Sequence, residues 1–383
     1  MRILVNATSA RLGGGITVLR NLLPALAAVD GGRHEYTVVA LADVADAMDP
    51  KDPRIHFVPF RHKGLGARLF WEQLSLPLRA AVSRADVLFC PANVAVPGAP
   101  VPQVLMFQNM APFDARVCAT APDLVRRRLA LLRWLGIASA RSAKRLVFIS
   151  RYAQRWILPQ LHISPLASDC VYLGRDGAFT PAALERAPAT LARLGLRRPY
   201  VLSVSHFYHY KNFVELVRGF ARARPRLPPE AMLAIAGGEH NAEYAARVHA
   251  VIGEAGVASS VKLLGEVPYA DLPPLYAAAH LFAFPSSCEN FPNILVEGLA
   301  SGAPTLASRV GPMQEIARDG ADYFNPFDPQ DIACALADAW SDAPRREALR
   351  QRGMAQAARY DWAETARQLL PVFERATGRL AAA

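Results

Sequence analysis

Glu289 and Glu297 are the residues whose type and spacing most invite chemistry. They stand in the stretch 284–308, FPSSCENFPNILVEGLASGAPTLAS. There an apolar strand ends at Pro285, a polar loop follows, and a helix is expected over Pro292–Ser301, stopped by Gly302 with Pro304 beyond it. On one continuous helix the two acids would lie about 12 Å apart. Paired hydrolytic carboxyls stand roughly 5–5.5 or 6.5–9.5 Å apart, so a hydrolase dyad is not the natural reading. The acids read instead as grips on different parts of one extended ligand. Proline suits the first helical position, and a helix N-terminus with unpaired amides and a positive dipole end suits a diphosphate. Lys211, after the run Ser203-Val204-Ser205-His206, adds a cation beyond another strand end. Gly13-Gly14-Gly15 follows the first strand, where glycine permits close backbone approach to a ligand.

Elements that alternate strand and helix must position these groups. In the first half strands are expected at Ile3–Asn6, Tyr36–Leu41, Ile55–Pro59, Val87–Cys90, Val104–Phe107 and Arg145–Ile149, with helices such as Thr17–Val29 and Leu124–Ala140 between them. The pattern loosens over 171–198, where turn formers mark a boundary. It resumes with strands Tyr200–Ser205, Met232–Ala236, Val261–Leu264, Leu281–Pro285 and Pro304–Ala307, and with helices Phe213–Ala223, Tyr244–Ala255 and Leu272–Ala278. This predicts an α/β chain of two Rossmann-like doubly wound domains facing each other across a cleft. Residues 1–175 form the first domain, with 362–383 packing back on it, and 176–361 form the second. Ligands in such sheets bind beyond the carboxyl ends of the strands.

Composition sets the outer limits. The 383 residues are 52% hydrophobic, enough for two cores. Five cysteines, an odd number and none at C-x-x-C spacing, read as reduced thiols. The N-terminal run MRILVNAT reads as a buried strand rather than an export signal. No apolar stretch reaches the roughly 20 residues of a membrane span. The net charge is +10, with Arg126, Arg127, Arg128, Arg133, Arg141, Lys144, Arg145, Arg151 and Arg155 crowded together. Such a run is either a solvated face or a docking surface for phospholipid headgroups or a phosphate-bearing acceptor. Nucleic acid is disfavoured, since no aromatic interleaving, helix-turn-helix or zinc-finger spacing is present.

The ordered set Gly13-Gly14-Gly15, Ser203-Val204-Ser205, Lys211-Asn212, Ala236-Gly237-Gly238, Leu264-Gly265-Glu266-Val267-Pro268, Glu289-x7-Glu297, Gly302-x-Pro304 and Asp361-Trp362 resembles family 4 ("group 1") glycosyltransferases of GT-B fold, over nearly the whole chain. The resemblance implies a retaining, metal-independent transfer from a nucleotide-diphosphate sugar to a glycan or lipid-linked acceptor. It implies no cofactor beyond that co-substrate, no metal ligands, and a role in bacterial surface polysaccharide synthesis. The sequence has no D-x-D pair. By resemblance Glu289 meets the transferred sugar and Lys211 neutralises the leaving diphosphate. Asn290, Phe291, Pro292, Asn293 and Ile294 lie by its phosphate, and Glu297 takes the ribose. Gly265 and Val267 edge the base, while Ser205, His206, Gly14, Gly15 and Gln108 complete the donor contacts. Three positions depart from the pattern. His206 replaces a common arginine, Gln108 a common histidine, and Pro292 removes an amide donor from the common E-G-F-G. Two other readings stay open: an inactive nucleotide-sugar-binding or scaffold protein of this fold, and a nucleotide-sugar 2-epimerase. The expected location is cytoplasmic, with peripheral association at the inner membrane face through basic helices near 126–155.

Overall fold

The computed structural model describes residues 1–10, 14–48, 52–61 and 64–379. It divides into two compact units, one of residues 1–174 with 361–383 and the other of residues 175–360.

The first unit holds seven strands: β1 Arg2–Ala7, β2 Glu35–Leu41, β3 Ile55–Phe60, β4 Val87–Cys90, β5 Gln103–Phe107, β6 Arg145–Phe148 and β7 Ser168–Cys170. They pair in parallel in the order β3-β2-β1-β4-β5-β6-β7. Both faces of β4 and β5 are buried. Such strands read as continuous apolar runs because helices cover both sides of a parallel sheet. The C-terminal helix Trp362–Ala376 packs on the helix Gly14–Val29, and Phe373 meets Phe89 edge-on with ring centroids 5.2 Å apart. Gly174 lets the returning chain settle: a Cβ there would lie 2.3 Å from the Trp362 nitrogen.

The second unit holds β8 Tyr200–Val204, β9 Met232–Ala236, β10 Val261–Gly265, β11 Leu281–Phe284, β12 Thr305–Ser308 and β13 Ala321–Phe324, parallel in the order β10-β9-β8-β11-β12-β13. The helix Phe213–Ala223 buries Phe213, Val214, Leu216, Val217 and Phe220 along one face. Gly219 on it sits against Ile332, where a Cβ would come within 2.5 Å.

The edge strands β7 and β13 go beyond the expected set. Their sequences, SDC and ADYF, are largely half-buried, so neither offers the apolar run that marks a central strand. The helix expected from Pro292 begins instead at Asn293 and ends at Ala300. Pro292 has ψ 81, which is not helical, and serves as the residue before the helix, its carbonyl accepting from the amides of Leu295 and Val296.

Candidate functional site

In each sheet the winding reverses direction once, between β1 and β4 and between β8 and β11. The loops that leave two such neighbouring strands diverge to opposite faces and open a crevice at their carboxyl ends. In the second unit these loops are 205–212 and 285–292, and they carry Lys211 and Glu289.

The two loops are tied together before any ligand is considered. Ser287 donates its amide to the Tyr210 carbonyl at 2.8 Å, and the Ser287 hydroxyl donates to the same oxygen at 3.2 Å. Asn212, in the left-handed region at φ 52, donates from Nδ2 to the Pro285 carbonyl at 2.8 Å. That side chain stands where a helix cap is wanted but is spent on the neighbouring loop. The Tyr244 hydroxyl takes over, accepting from the Phe213 amide at 2.7 Å, and so satisfies the first turn of the helix. Lys211 closes the last turn of a short 3-10 segment, His209–Lys211. Its Nζ donates to Glu289 Oε1 at 2.5 Å, with the two side chains only 10% and 15% exposed. The ammonium also lies 5.2 Å from the Tyr210 ring centroid and 5.9 Å from that of Phe284. Residues expected to serve different parts of a ligand are therefore one ion pair here. Burial, reinforced by the Glu289 charge, keeps the Tyr210 hydroxyl protonated.

Glu297 sits in the helix Asn293–Ala300 and is buried. Among the described residues no cation pairs with it. Burial pushes its carboxyl up to about 8, and the charge of Asp176 adds to the effect. The Tyr276 hydroxyl, within range of that charge, is buried without a hydrogen-bond partner among the described residues. An unpaired buried acid is costly, and such groups mark sites where a ligand supplies the missing partner. The helix lies tight on β11, since a Cβ on Gly298 would come within 2.4 Å of Phe282. Its first turn offers fewer free amides than expected: Asn293 donates to the Phe291 carbonyl, and Leu295 and Val296 to that of Pro292. Asn290 and Phe291 are buried in the loop ahead of it, Phe291 edge-on to Tyr360.

On the other side of β8, three strand ends bring His206, His240 and Glu266 together. Their donor atoms lie within 4.8 Å of one another, the only such His/Cys/Asp/Glu group among the described residues. His206 Nδ1 accepts from the Gly238 amide at 3.1 Å, so its proton in the neutral form is on Nε2. Burial lowers the His206 pKa and the neighbouring His240 lowers it further. His240 Nε2 lies 3.2 Å from Glu266 Oε1. This convergence needs Gly238, where a Cβ would stand 2.5 Å from the Glu266 carboxylate and 2.9 Å from His240 Nε2. A metal could be held only by loosening the His206–Gly238 bond, because that nitrogen lone pair is already used. Ser205 is buried beside Gly237, whose φ of 151 and contact with the Ser205 carbonyl admit no side chain. Gly265 takes φ 64 at a bulge of β10, and Val267 follows it. His240 is not among the expected site residues, and Glu266 enters the expectation only as part of the motif Leu264–Pro268. The one signal for them is a glycine at the end of a strand, one residue before Glu266 and two residues before His240.

The remaining expected residues belong to the first unit. Gly14 and Gly15 open the helix Gly14–Val29, while Gly13 lies outside the described residues. A Cβ on Gly15 would make only ordinary contact with Ala10 at 3.5 Å, so the fold itself does not demand glycine there. Gln108 is half-buried after β5, and its amide donates to Asn93 Oδ1 at 2.7 Å. Sequence reasoning missed a buried acid in this unit. Glu72 accepts from the Thr8 hydroxyl just beyond β1 and pairs with Arg68 at 3.2 Å. Burial raises its pKa.

Residues 192–356 match the family described as "Glycosyl transferases group 1", a segment that spans the Lys211, Glu289 and Glu297 crevice. Over 247 residues the chain is 32% identical to D-inositol 3-phosphate glycosyltransferase of Salinispora arenicola, covering 61% of this chain and 55% of that protein. Over 114 residues it is 32% identical to O-antigen chain mannosyltransferase B of Escherichia coli, covering 30% of each. The chain thus spans about half, or less, of the length of the curated relatives it matches. In three dimensions it shares the GT-B fold of sucrose-phosphate synthase from Thermosynechococcus elongatus, with TM-score 0.79 and 17% identity over 99% of this chain and 100% of that one. It is similar also to Anabaena HepE solved in complex with UDP, with TM-score 0.74 and 19% identity over 98% and 100%.

Proposed function

We propose that this chain is a retaining glycosyltransferase that takes a sugar from a nucleotide-diphosphate sugar and passes it to a glycan or lipid-linked acceptor. The observation that carries the proposal is the largely buried Lys211–Glu289 pair at the reversal point of the second sheet, inside the segment that matches the family. In this reading the donor diphosphate draws the Lys211 ammonium from Glu289, and the freed carboxylate turns to hydroxyls of the transferred sugar. The bond between the anomeric carbon and the leaving phosphate oxygen breaks as the acceptor oxygen attacks from the same face. The acceptor proton passes to that phosphate oxygen, and Lys211 stabilises the charge gathered on the diphosphate. No protein nucleophile is needed. Lysine supplies the positive charge a divalent ion would otherwise bring, so the reaction is metal-independent in this proposal. Glu297, unpaired in its buried position, accepts the ribose hydroxyls. Ser205, His206, Gly265, Val267 and residues 290–294 line the donor.

The relatives support a lipid- or glycan-directed setting: one acts on an inositol phosphate and another on O-antigen chains, by their names. We place the activity at the cytoplasmic face of a bacterial membrane, in surface polysaccharide synthesis. Thermal shift against UDP-, GDP- and TDP-sugars with EDTA present is the direct test. A rise in Tm with one nucleotide class supports a metal-independent donor site and names the base. The absence of a shift with every class, together with no sugar transfer, favours an inactive scaffold.

A further inference from the structure

The helix Asp123–Ser142 buries Gly136, Ser139 and Ala140 in its second half and Leu129 alone in its first. From 122 to 134 every residue is exposed except Leu129, which is buried, and Leu132, which is half-buried. Large apolar side chains are among the exposed ones: Leu124 at 82%, Trp134 at 64%, Leu131 at 46% and Val125 at 43%. At about 100° per residue, Leu124, Leu131 and Leu135 fall on one line of the helix. That line is roughly 110° away from the stripe of Leu129, Gly136, Ser139 and Ala140 buried against the unit. The helix thus has two apolar stripes, and among the described residues only one has a partner.

Charge identifies the occupant of the second. Arg127 and Arg128 flank the exposed stripe on either side, whereas Arg126 and Arg133 lie on the far face of the helix, and Asp123 is the helix's one acid. The Arg126–Asp123 pair is exposed and worth little. The adjoining helix Arg151–Leu161 touches this one and brings Arg151, Arg155 and the part-exposed Trp156, followed by Leu166 at 82% exposure. Arg145, by contrast, is strand-bound and paired with Asp169, so it takes no part. An apolar line edged on both sides by guanidinium groups, with tryptophan at its margin, matches a planar anionic interface. The leucines reach below the phosphates, the arginines meet them, and the indole sits at headgroup depth. No described helix is long and apolar enough to cross a membrane.

We infer that the first three turns of the helix Asp123–Ser142, centred on Leu124, Leu131 and Trp134, insert edgewise into the headgroup layer of an anionic phospholipid bilayer. The inference concerns where the chain sits and stands whether or not it transfers sugar.

The full chain is floated with vesicles of phosphatidylcholine containing about 30% phosphatidylglycerol, and with phosphatidylcholine alone, at low and high salt. Wild type is expected to float with the anionic vesicles at low salt, and to do so less at high salt and on neutral vesicles. Arg127→Gln/Arg128→Gln should lose roughly thirtyfold in partition coefficient. Leu124→Ser/Leu131→Ser should lose about tenfold. Brominated lipid should quench tryptophan emission in wild type, and Trp134→Phe should remove most of that quenching. All variants change exposed side chains, and unchanged circular dichroism confirms that they remain folded. Failure of wild type to float overturns the inference, and so does flotation of the leucine variant at wild-type level, since charge alone would then account for binding.

Discussion

A left-handed asparagine stitches strand-end loops in each unit, but it stitches different pairs. Asn93, at φ 56 after β4, accepts the amides of Gln108 and Asn109 and donates to the Asn109 carbonyl, tying the loop after β4 to the loop after β5. Asn212, at φ 52 after β8, reaches the loop after β11. In the second unit the stitch therefore spans the point where the winding reverses. In the first it lies one strand farther along. The crevice of the second unit is assembled in advance and charged, with Lys211 and Glu289 drawn together across it. The end of β1 in the first unit instead carries a neutral hydroxyl, Thr8, bound to a buried acid. One winding order, used twice, fixes where a crevice opens but leaves its chemistry to the loops.

The contrast is broken most forcefully at the ion pair. Lys211→Ala is expected to lower kcat by about 10²–10³-fold, with KM for the donor changed less. Glu289→Ala should abolish measurable transfer while the chain remains folded. Each single variant should melt below wild type because it strands a largely buried charge, and the double variant should recover part of that loss. Additive melting effects would show that the pair is not coupled. Next in size is the stitch. Asn212→Ala should cost about 1–2 kcal/mol and weaken donor binding, Asn212→Gly should retain the backbone but not the tie, and Asn93→Ala should leave donor affinity unchanged. Equal effects of Asn93 and Asn212 on donor affinity would erase the distinction between the units.

Glu297 gives a smaller, pH-dependent effect. Its carboxyl is raised to about 8 in the folded chain, so between the ordinary carboxyl range and about 8 the folded state holds a proton that the unfolded state has lost. Stability from this group is complete below that window and falls as pH rises through it. Glu297→Gln should therefore gain on wild type in Tm from about pH 5 to 8, and donor affinity of wild type should rise over the upper part of that range. Parallel melting curves at all pH values would remove Glu297 from the argument. The smallest effect is expected at His206. Burial and His240 keep it neutral near neutral pH. His206→Arg should tighten donor binding a few-fold, more at low salt, and unchanged affinity would mean that this side chain does not face the diphosphate.

Much of this was legible from spacing. Phe213–Ala223, Met232–Ala236 and Leu272–Ala278 have the bounds their periodicity indicates, because the first carries a continuous buried stripe and the other two are apolar runs buried but for their first residue. Pro292 was misplaced by one residue because composition cannot report ψ, and the backbone turns away from helical geometry there. The contacts of the site were harder to read. Glu289 and Lys211 were legible as residues but not as a pair, since seventy-eight positions separate them and only the adjacency of β8 and β11 joins them. His240 and Glu266 meet through three strand ends and a glycine that yields space, which no local pattern contains.

The return of the helix Trp362–Ala376 to the first unit has a consequence for biosynthesis. A ribosome makes residues 175–360, all of the second unit, before it makes the segment against which Phe89 and Gly174 pack. The unit whose synthesis starts first is thus the one whose parts are complete last. Its nascent form waits with the Phe89 face uncovered, and a chain cut short near its 3′-encoded end loses the closing piece of its oldest part while keeping every residue of its newest.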